Sequence, residues 1–239
     1  MSVGPEAFGE AYLYFYETIL TDEVSDEQAE LIWRVLELEP GTAVLDLACG
    51  HGRISNRLAA RGAKVTGLDA DEFFLATARE AGADVEYVHG DMRALPWDEP
   101  RFDAALLWFT AFGYFDDAAN AAVLAGVRRV LRNGGRLLIE LNHLPWVLAH
   151  LQRQSWLRRG ADVALDDYGW NPRTSLMTTR RTYIRDGAVR ELSYDVRMYM
   201  PVELRDLLLA AGFSRVDLVN REGEPLTADD RRLLVRAHA

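Results

Sequence analysis

The 239-residue chain is poor in cysteine, in lysine and in long apolar runs. Cys49 is the only cysteine, so no internal disulfide can form, and five scattered histidines without a second thiol give no metal-ligand spacing. No metal is expected, and Cys49 reads as a small turn residue rather than a nucleophile. No stretch approaches the roughly 20 consecutive apolar residues that span a bilayer. The opening MSVGPEAFGE has no basic segment followed by an apolar one. A cytoplasmic chain without a membrane partner is the expectation. Positive charge is short too: the net charge is −10 and the pI near 5.0, which opposes a phosphate backbone and predicts no nucleic-acid partner. Lysine occurs once, at Lys64. One region runs the other way, since His143 to Met200 holds nine arginines against six acids. It reads first as a solvated or subunit-facing surface, leaving a homo-oligomer open, and second as a face toward an anionic substrate.

A third glycine is missing where it would decide the ligand. Residues 44–53 read VLDLACGHGR: an apolar run, the acid Asp46, then Gly50 and Gly52, followed by a helical pattern with Ile54 and Leu58 four apart that stops at Gly62. Strand, glycine turn and helix open a βαβ unit, where α/β sheets place ligands. The dinucleotide pattern G-x-G-x-x-G fails, because Ser55 stands at its third glycine. Asp46 would also oppose a pyrophosphate, whereas it suits an ammonium group.

Two further segments end in acids. Lys64 to Asp69 reads as a second strand, with Asp69 at the ribose position about 20 residues past the loop. Val85 to His89 reads as a third, ending in Gly90-Asp91-Met92, where Asp91 suits an adenine amino group and Met92 the ring face. An ammonium, a ribose and an adenine without phosphate are the parts of S-adenosylmethionine. Three unrelated loop acids capping helices are the alternative.

With DLACGHG at 46–52, LD at 68–69, GDM at 90–92, FDAALLWF at 102–109 and LRNGGRLLIE at 131–140, the chain resembles class I S-adenosylmethionine-dependent methyltransferases. The resemblance covers residues 40–142 and, more weakly, 201–238. It implies a doubly wound α/β fold, a mostly parallel seven-stranded Rossmann-like sheet, here with a β-rich lid insertion. Implied cofactor residues are Tyr12, Asp46, Ala48, Gly50, Gly52, Arg53, Asp69, Ala70, Asp91, Met92 and Phe109. Ala48 departs from the glycine frequent there.

Outside the motifs, Ser25-Asp26-Glu27-Gln28 has a capping-box pattern before an amphipathic helix that ends ahead of Pro40. Asp71 to Ala81 reads as a helix, 102–109 as a buried strand, Asp116-Asp117 as the start of a helix through Val123, Val127 and Leu131 that ends at Asn133-Gly134-Gly135, and Arg136 to Asn142 as a fifth strand. Leu176 to Ile184 and Val189 to Met200 form a hairpin around Asp186-Gly187. Pro201 opens a helix to Gly212, and Val216 to Val219 with Leu233 to Val235 close the sheet. The predicted division is an N-terminal cover over 1–40, a cofactor core over 41–142, a substrate lid over 143–200 and a C-terminal helix with a strand pair over 201–239.

Methyl transfer needs alignment and exclusion of water rather than a nucleophile. Aromatic faces near the sulfonium are candidates through cation–π attraction: the cluster Tyr12, Tyr14 and Tyr16, and the segment Phe109, Phe112, Tyr114 and Phe115. That segment lacks the N/D-P-P-Y/F motif usual in methylation of DNA-base amino groups or protein glutamines. Its aromatic loop instead resembles bacterial small-molecule methyltransferases of natural-product type. Tyr16 and Phe112 are catalytic candidates, with His143 as a base that titrates near neutrality or, alternatively, as a hydrogen-bonded turn residue. Tyr14, Phe115, Trp170, Arg197 and Tyr199 are substrate candidates. The expected function is methylation of a small molecule, nitrogen ahead of oxygen or carbon. RNA methylation and a non-catalytic nucleotide-binding regulator are the alternatives.

Overall fold

The computed structural model describes residues 8–239; residues 1–7, part of the expected N-terminal cover, lie outside them. Helix α1 (Glu10–Tyr16) precedes α2 (Asp22–Val35), whose first turn is capped by Thr21, the Val24 N–H donating to its Oγ1. This corrects the expected capping box: Ser25 lies a turn inside the helix, where it is buried and accepts from Arg53. Then alternate β1 (Ala43–Leu47), α3 (Ser55–Ala60), β2 (Lys64–Asp69), α4 (Glu72–Glu80), β3 (Val85–His89), β4 (Phe102–Leu107), α5 (Asp117–Val130) and β5 (Leu131–Asn142). All five strands are parallel in the order β3-β2-β1-β4-β5. β4 stops two residues before the expected Phe109 because Phe109 and Thr110 turn left-handed, at φ 60° and 61°. β5 starts earlier than expected, as Leu131 already pairs with Phe102 before a register shift takes up the Gly134-Gly135 turn.

Alternation on the strands sorts the core into two faces. Leu45, Leu47, Ala105, Leu107, Leu137 and Ile139 pack against Val123 and Val127 of α5. Val44, Val65, Ala104, Leu106 and Leu138 pack against Ile32 and Val35 of α2 and Leu58 of α3. Each fully buried Leu or Val contributes about 1.5–3 kcal/mol, so the sheet is fixed from both sides and its carboxyl edge is left to loops.

After α6 (Leu144–Ala149), the chain builds a second, antiparallel sheet: β6 (Gln154–Arg159), β7 (Asp162–Asn171), β8 (Leu176–Arg185) and β9 (Ala188–Arg197), in that order. The expected hairpin is β8–β9, turned by Asp186 and Gly187 at φ 52° and 76°. β6 and β7 were not expected. Helix α7 (Pro201–Ala210) then returns the chain to the first sheet, where β10 (Arg215–Val219) and β11 (Arg232–His238) complete seven strands, β11 running antiparallel beside β5. α1 docks on the second sheet through Phe15, which is fully buried against Ala164 and stacks on Tyr183 with ring centroids 5.6 Å apart.

Candidate active site

A cavity of about 860 Å³ lies between the carboxyl edge of the parallel strands and the inner face of the second sheet. Its strand-edge half is built by backbone. Ala48, Gly50 and Gly52, at φ 55°, 56° and 74°, wind the chain from β1 into α3. A Cβ on Gly52 would collide with the Tyr87 hydroxyl, which donates to Asn56 Oδ1 at 2.6 Å. Ala48 has no such relief and holds its Cβ in left-handed backbone, at a cost of roughly 1–2 kcal/mol.

Four carboxylates line this half: Asp46, Asp69, Asp91 and Asp71, the last capping α4 by accepting from the Phe73 N–H at 2.9 Å. Asp46 is buried, and Ser55 Oγ donates to it at 2.5 Å. Burial pushes its carboxyl up to about 7, with Ser55 and Arg53 opposing the rise. Asp69 accepts from the N–H groups of Gly50 at 2.7 Å and Asp71 at 2.9 Å, while burial raises its carboxyl too. Asp91 accepts from the Arg93 N–H at 2.8 Å and from its guanidinium, which holds the carboxyl below the usual range. Ala70, Met92 and His51 line the same half; burial pushes the His51 imidazole down to about 4, so it is neutral at pH 7.

Phe109 marks the boundary between the two halves. Its ring lies 5.4 Å from the Arg53 guanidinium carbon and meets Tyr16 edge-on at 6.2 Å. Beyond it the second-sheet half is phenolic. Tyr12 stacks on Tyr16 with centroids 4.0 Å apart, and Tyr114, Tyr168 and Tyr194 complete the wall. Arg181, 2% exposed, donates through Nε and Nη2 to both Asp166 oxygens at 2.6 and 2.7 Å, and through Nη2 to Tyr16 Oη at 2.9 Å. Tyr168 donates to Asp166 and Ser155 to Tyr168. Burial raises the phenols of Tyr12, Tyr114 and Tyr168, and pushes Tyr194 up to about 12. None of these four gives up its proton near neutrality, and Asp166 is matched by its arginine.

Four expected residues are not among those lining the cavity: Gly52, which only shapes the turn, and Tyr14, Trp170 and His143. Tyr14 points away from Tyr12 and Tyr16 because residues two apart on a helix face opposite sides; its hydroxyl donates to Asp162 at 2.7 Å. Trp170 packs with the cluster of Leu144, Met177 and Met198, outside the cavity wall. His143 is 2% exposed, its Nδ1 donates to the Asp230 carbonyl at 2.7 Å, and it is not among the residues that line the cavity. Arg197 and Tyr199 do line the cavity, yet their polar atoms are engaged: Arg197 with Asp117, Glu203 and the Met198 carbonyl, Tyr199 with Asp117 and Asn120. Phe112 is a buried wall residue against Tyr199, and the Phe115 ring lies under the Arg93 guanidinium at 4.5 Å.

The sequence reading misses Asp166, Arg181 and the buried Glu140 with Arg232, and it has Tyr168 and Tyr194 only as aromatic residues of the expected lid. Asp166 and Arg181 stand directly opposite in the β7–β8 register, a signal available only once that register is known. Among the described residues no helix is long and apolar enough to cross a membrane.

A family model described as a methyltransferase domain matches residues 44–135. The chain is 34% identical over 133 residues to a demethylmenaquinone methyltransferase of Beutenbergia cavernae, covering 53% of this chain and 54% of that one. It spans about half the length of the curated relatives it matches at such identities. In structure it is similar to the CcbJ methyltransferase of Streptomyces caelestis, with a TM-score of 0.78, 22% identity and 92% of each chain covered. It is also similar to S-adenosylmethionine-bound CalS10, an amino pentose methyltransferase of Micromonospora echinaspora, with a TM-score of 0.67, 21% identity, and 97% of this chain and 98% of that one covered. The chain thus has the fold of S-adenosylmethionine-dependent methyltransferases, and its match to the methyltransferase-domain model is confined to residues 44–135.

Proposed function

We propose that the chain transfers a methyl group from S-adenosylmethionine to a nitrogen of a small-molecule acceptor. The observation that carries the reading is one cavity with two unlike halves, three strand-end carboxylates facing a wall of protonated phenols. S-adenosylmethionine, when bound, supplies an electrophilic methyl group on a sulfonium. Asp46, Asp69 and Asp91 would hold its ammonium, ribose and adenine, donor groups that match three acceptor side chains and need no phosphate site. In this reading residues 143–200 are the lid that excludes water from the acceptor half.

The choice of nitrogen rests on protons. An alcohol acceptor must lose its proton to a base, whereas an amine in its free-base form already presents a lone pair. The acceptor half offers raised phenols and a carboxylate already matched by Arg181. The faces of Tyr12, Tyr16, Tyr114 and Tyr194 would favour the positive charge that arrives on the acceptor, by about 0.5–2 kcal/mol each where well placed. The amino pentose acceptor in the name of CalS10 agrees with this reading. The name of the Beutenbergia cavernae relative points instead to a quinone, and ring methylation is the second reading.

Labelled methyl transfer to a panel of amino sugars, other amines, phenols and quinones tests the choice. Label in an amine supports nitrogen methylation. Label only in a quinone replaces it with the second reading.

A further inference from the structure

Glu140 is fully buried at the end of β5 and touches neither the three strand-end acids nor the phenols. Arg232 donates to both of its oxygens, through Nε at 2.5 Å and through Nη2, and Arg221 adds a third donor at 3.1 Å. One carboxylate oxygen also accepts the Phe109 N–H at 3.1 Å. The Glu140 carbonyl accepts the Thr110 N–H at 3.0 Å, and Arg232 Nη2 donates to Thr110 Oγ1 at 2.9 Å. Three ties from Glu140 and Arg232 thus end on two consecutive residues in left-handed backbone, neither of them glycine, while Arg232 also donates to Asn142. Such a pair persists only where its surroundings over-determine it. Its result is to set the Phe109 ring between Arg53 and Tyr16, at the boundary of the cavity's two halves.

We propose that Glu140 is a positioning residue: with Arg232 it holds Phe109–Thr110 left-handed so that the Phe109 ring faces the sulfonium end of the cofactor. The inference rests on the methyltransferase reading. A ring so placed favours a sulfonium over a neutral thioether, so the protein should discriminate S-adenosylmethionine from S-adenosylhomocysteine partly through Glu140.

The test compares wild type with Glu140→Gln, which keeps shape and an acceptor oxygen while removing the charge that orders Arg232. Titration calorimetry with each ligand should show affinity for S-adenosylmethionine falling at least tenfold and for S-adenosylhomocysteine less than threefold. Amide exchange in a peptide spanning residues 108–112 of the unliganded protein should speed up at least tenfold. Adding Thr110→Gly, which adopts the left-handed conformation without support, should restore most of the lost discrimination. Unchanged exchange and affinities overturn the proposal. A loss that Thr110→Gly leaves in place also overturns it, because Glu140 would then act by its charge and not through the backbone. If Glu140→Gln fails to fold, Arg232→Lys, which retains the charge and loses the fork, is read in the same way. Wild type that binds neither ligand, with exchange still accelerated in the variant, sinks the methyltransferase reading and leaves the positioning claim standing.

Discussion

The two halves of the cavity are made by different kinds of structure. In the strand-edge half each functional group sits within a few residues of a strand end: Asp46 as the next-to-last residue of β1 with the glycine turn behind it, Asp69 as the last residue of β2, Asp91 just past β3. Local backbone places them, so the spacing of acids and glycines in the chain is already the layout of the site. In the second-sheet half nothing is local. Tyr16 comes from α1, Asp166 from β7 and Arg181 from β8, and they meet only because an antiparallel register and a docked helix bring them together. A motif can specify the first kind of site; the second kind is specified by a fold.

The largest expected effect would break the second-sheet half alone. Arg181→Ala leaves Asp166 buried without its partner, and removing one member of a buried pair costs about 3–5 kcal/mol. Chemical denaturation should show that loss, while affinity for S-adenosylhomocysteine changes less than threefold in protein that remains folded. Equal damage to both would mean the halves are not separable. Next, Asp69→Ala removes a carboxylate that accepts from Gly50 and Asp71. Losing a charged acceptor amounts to roughly 1.5–3 kcal/mol, so affinity for S-adenosylhomocysteine should fall on the order of 10- to 100-fold with the second sheet intact. Unchanged affinity would remove Asp69 from the site.

A smaller effect follows from Asp46. Burial lifts its carboxyl from the ordinary 3.8 to about 7, so the folded, unliganded protein holds a proton there that the unfolded chain has released. Its contribution to stability is complete below 3.8 and is lost as pH rises through about 7. A bound ammonium favours the ionised carboxylate, so affinity for S-adenosylhomocysteine should rise a few-fold from pH 6 to pH 8, with proton release visible as a buffer-dependent heat. A flat profile would separate Asp46 from the ammonium. The smallest effect concerns the one residue in the turn that departs from glycine. Ala48→Gly relieves a left-handed Cβ worth roughly 1–2 kcal/mol and adds roughly 0.5–1 kcal/mol of chain entropy to lose on folding. A net stabilisation near 0.5 kcal/mol by denaturation is expected.

The same contrast decides what the sequence made legible. The parallel strands, their order of appearance, the helix after the glycine turn and the three acids follow from apolar runs and end signals. β6 and β7 escape the pattern because it is inverted: Leu165 faces outward while Asp166 is buried on the inner face, where Arg181 of the next strand is its partner. Tyr12 and Tyr16 are four apart and meet on α1, but their spacing could not tell which surface they would face, and Tyr14 was grouped with them although it faces the other way. His143 shows the limit from the other side. It follows β5 directly, and its Nδ1–H donates to a carbonyl from the segment before β11, 87 residues away in sequence.

Titration calorimetry of the purified protein with S-adenosylhomocysteine beside NAD tests whether the strand-edge half takes an adenosyl ligand without phosphate. Micromolar binding of the first and none of the second is the predicted result. Binding of NAD alone would contradict the assignment of Asp46, Asp69 and Asp91.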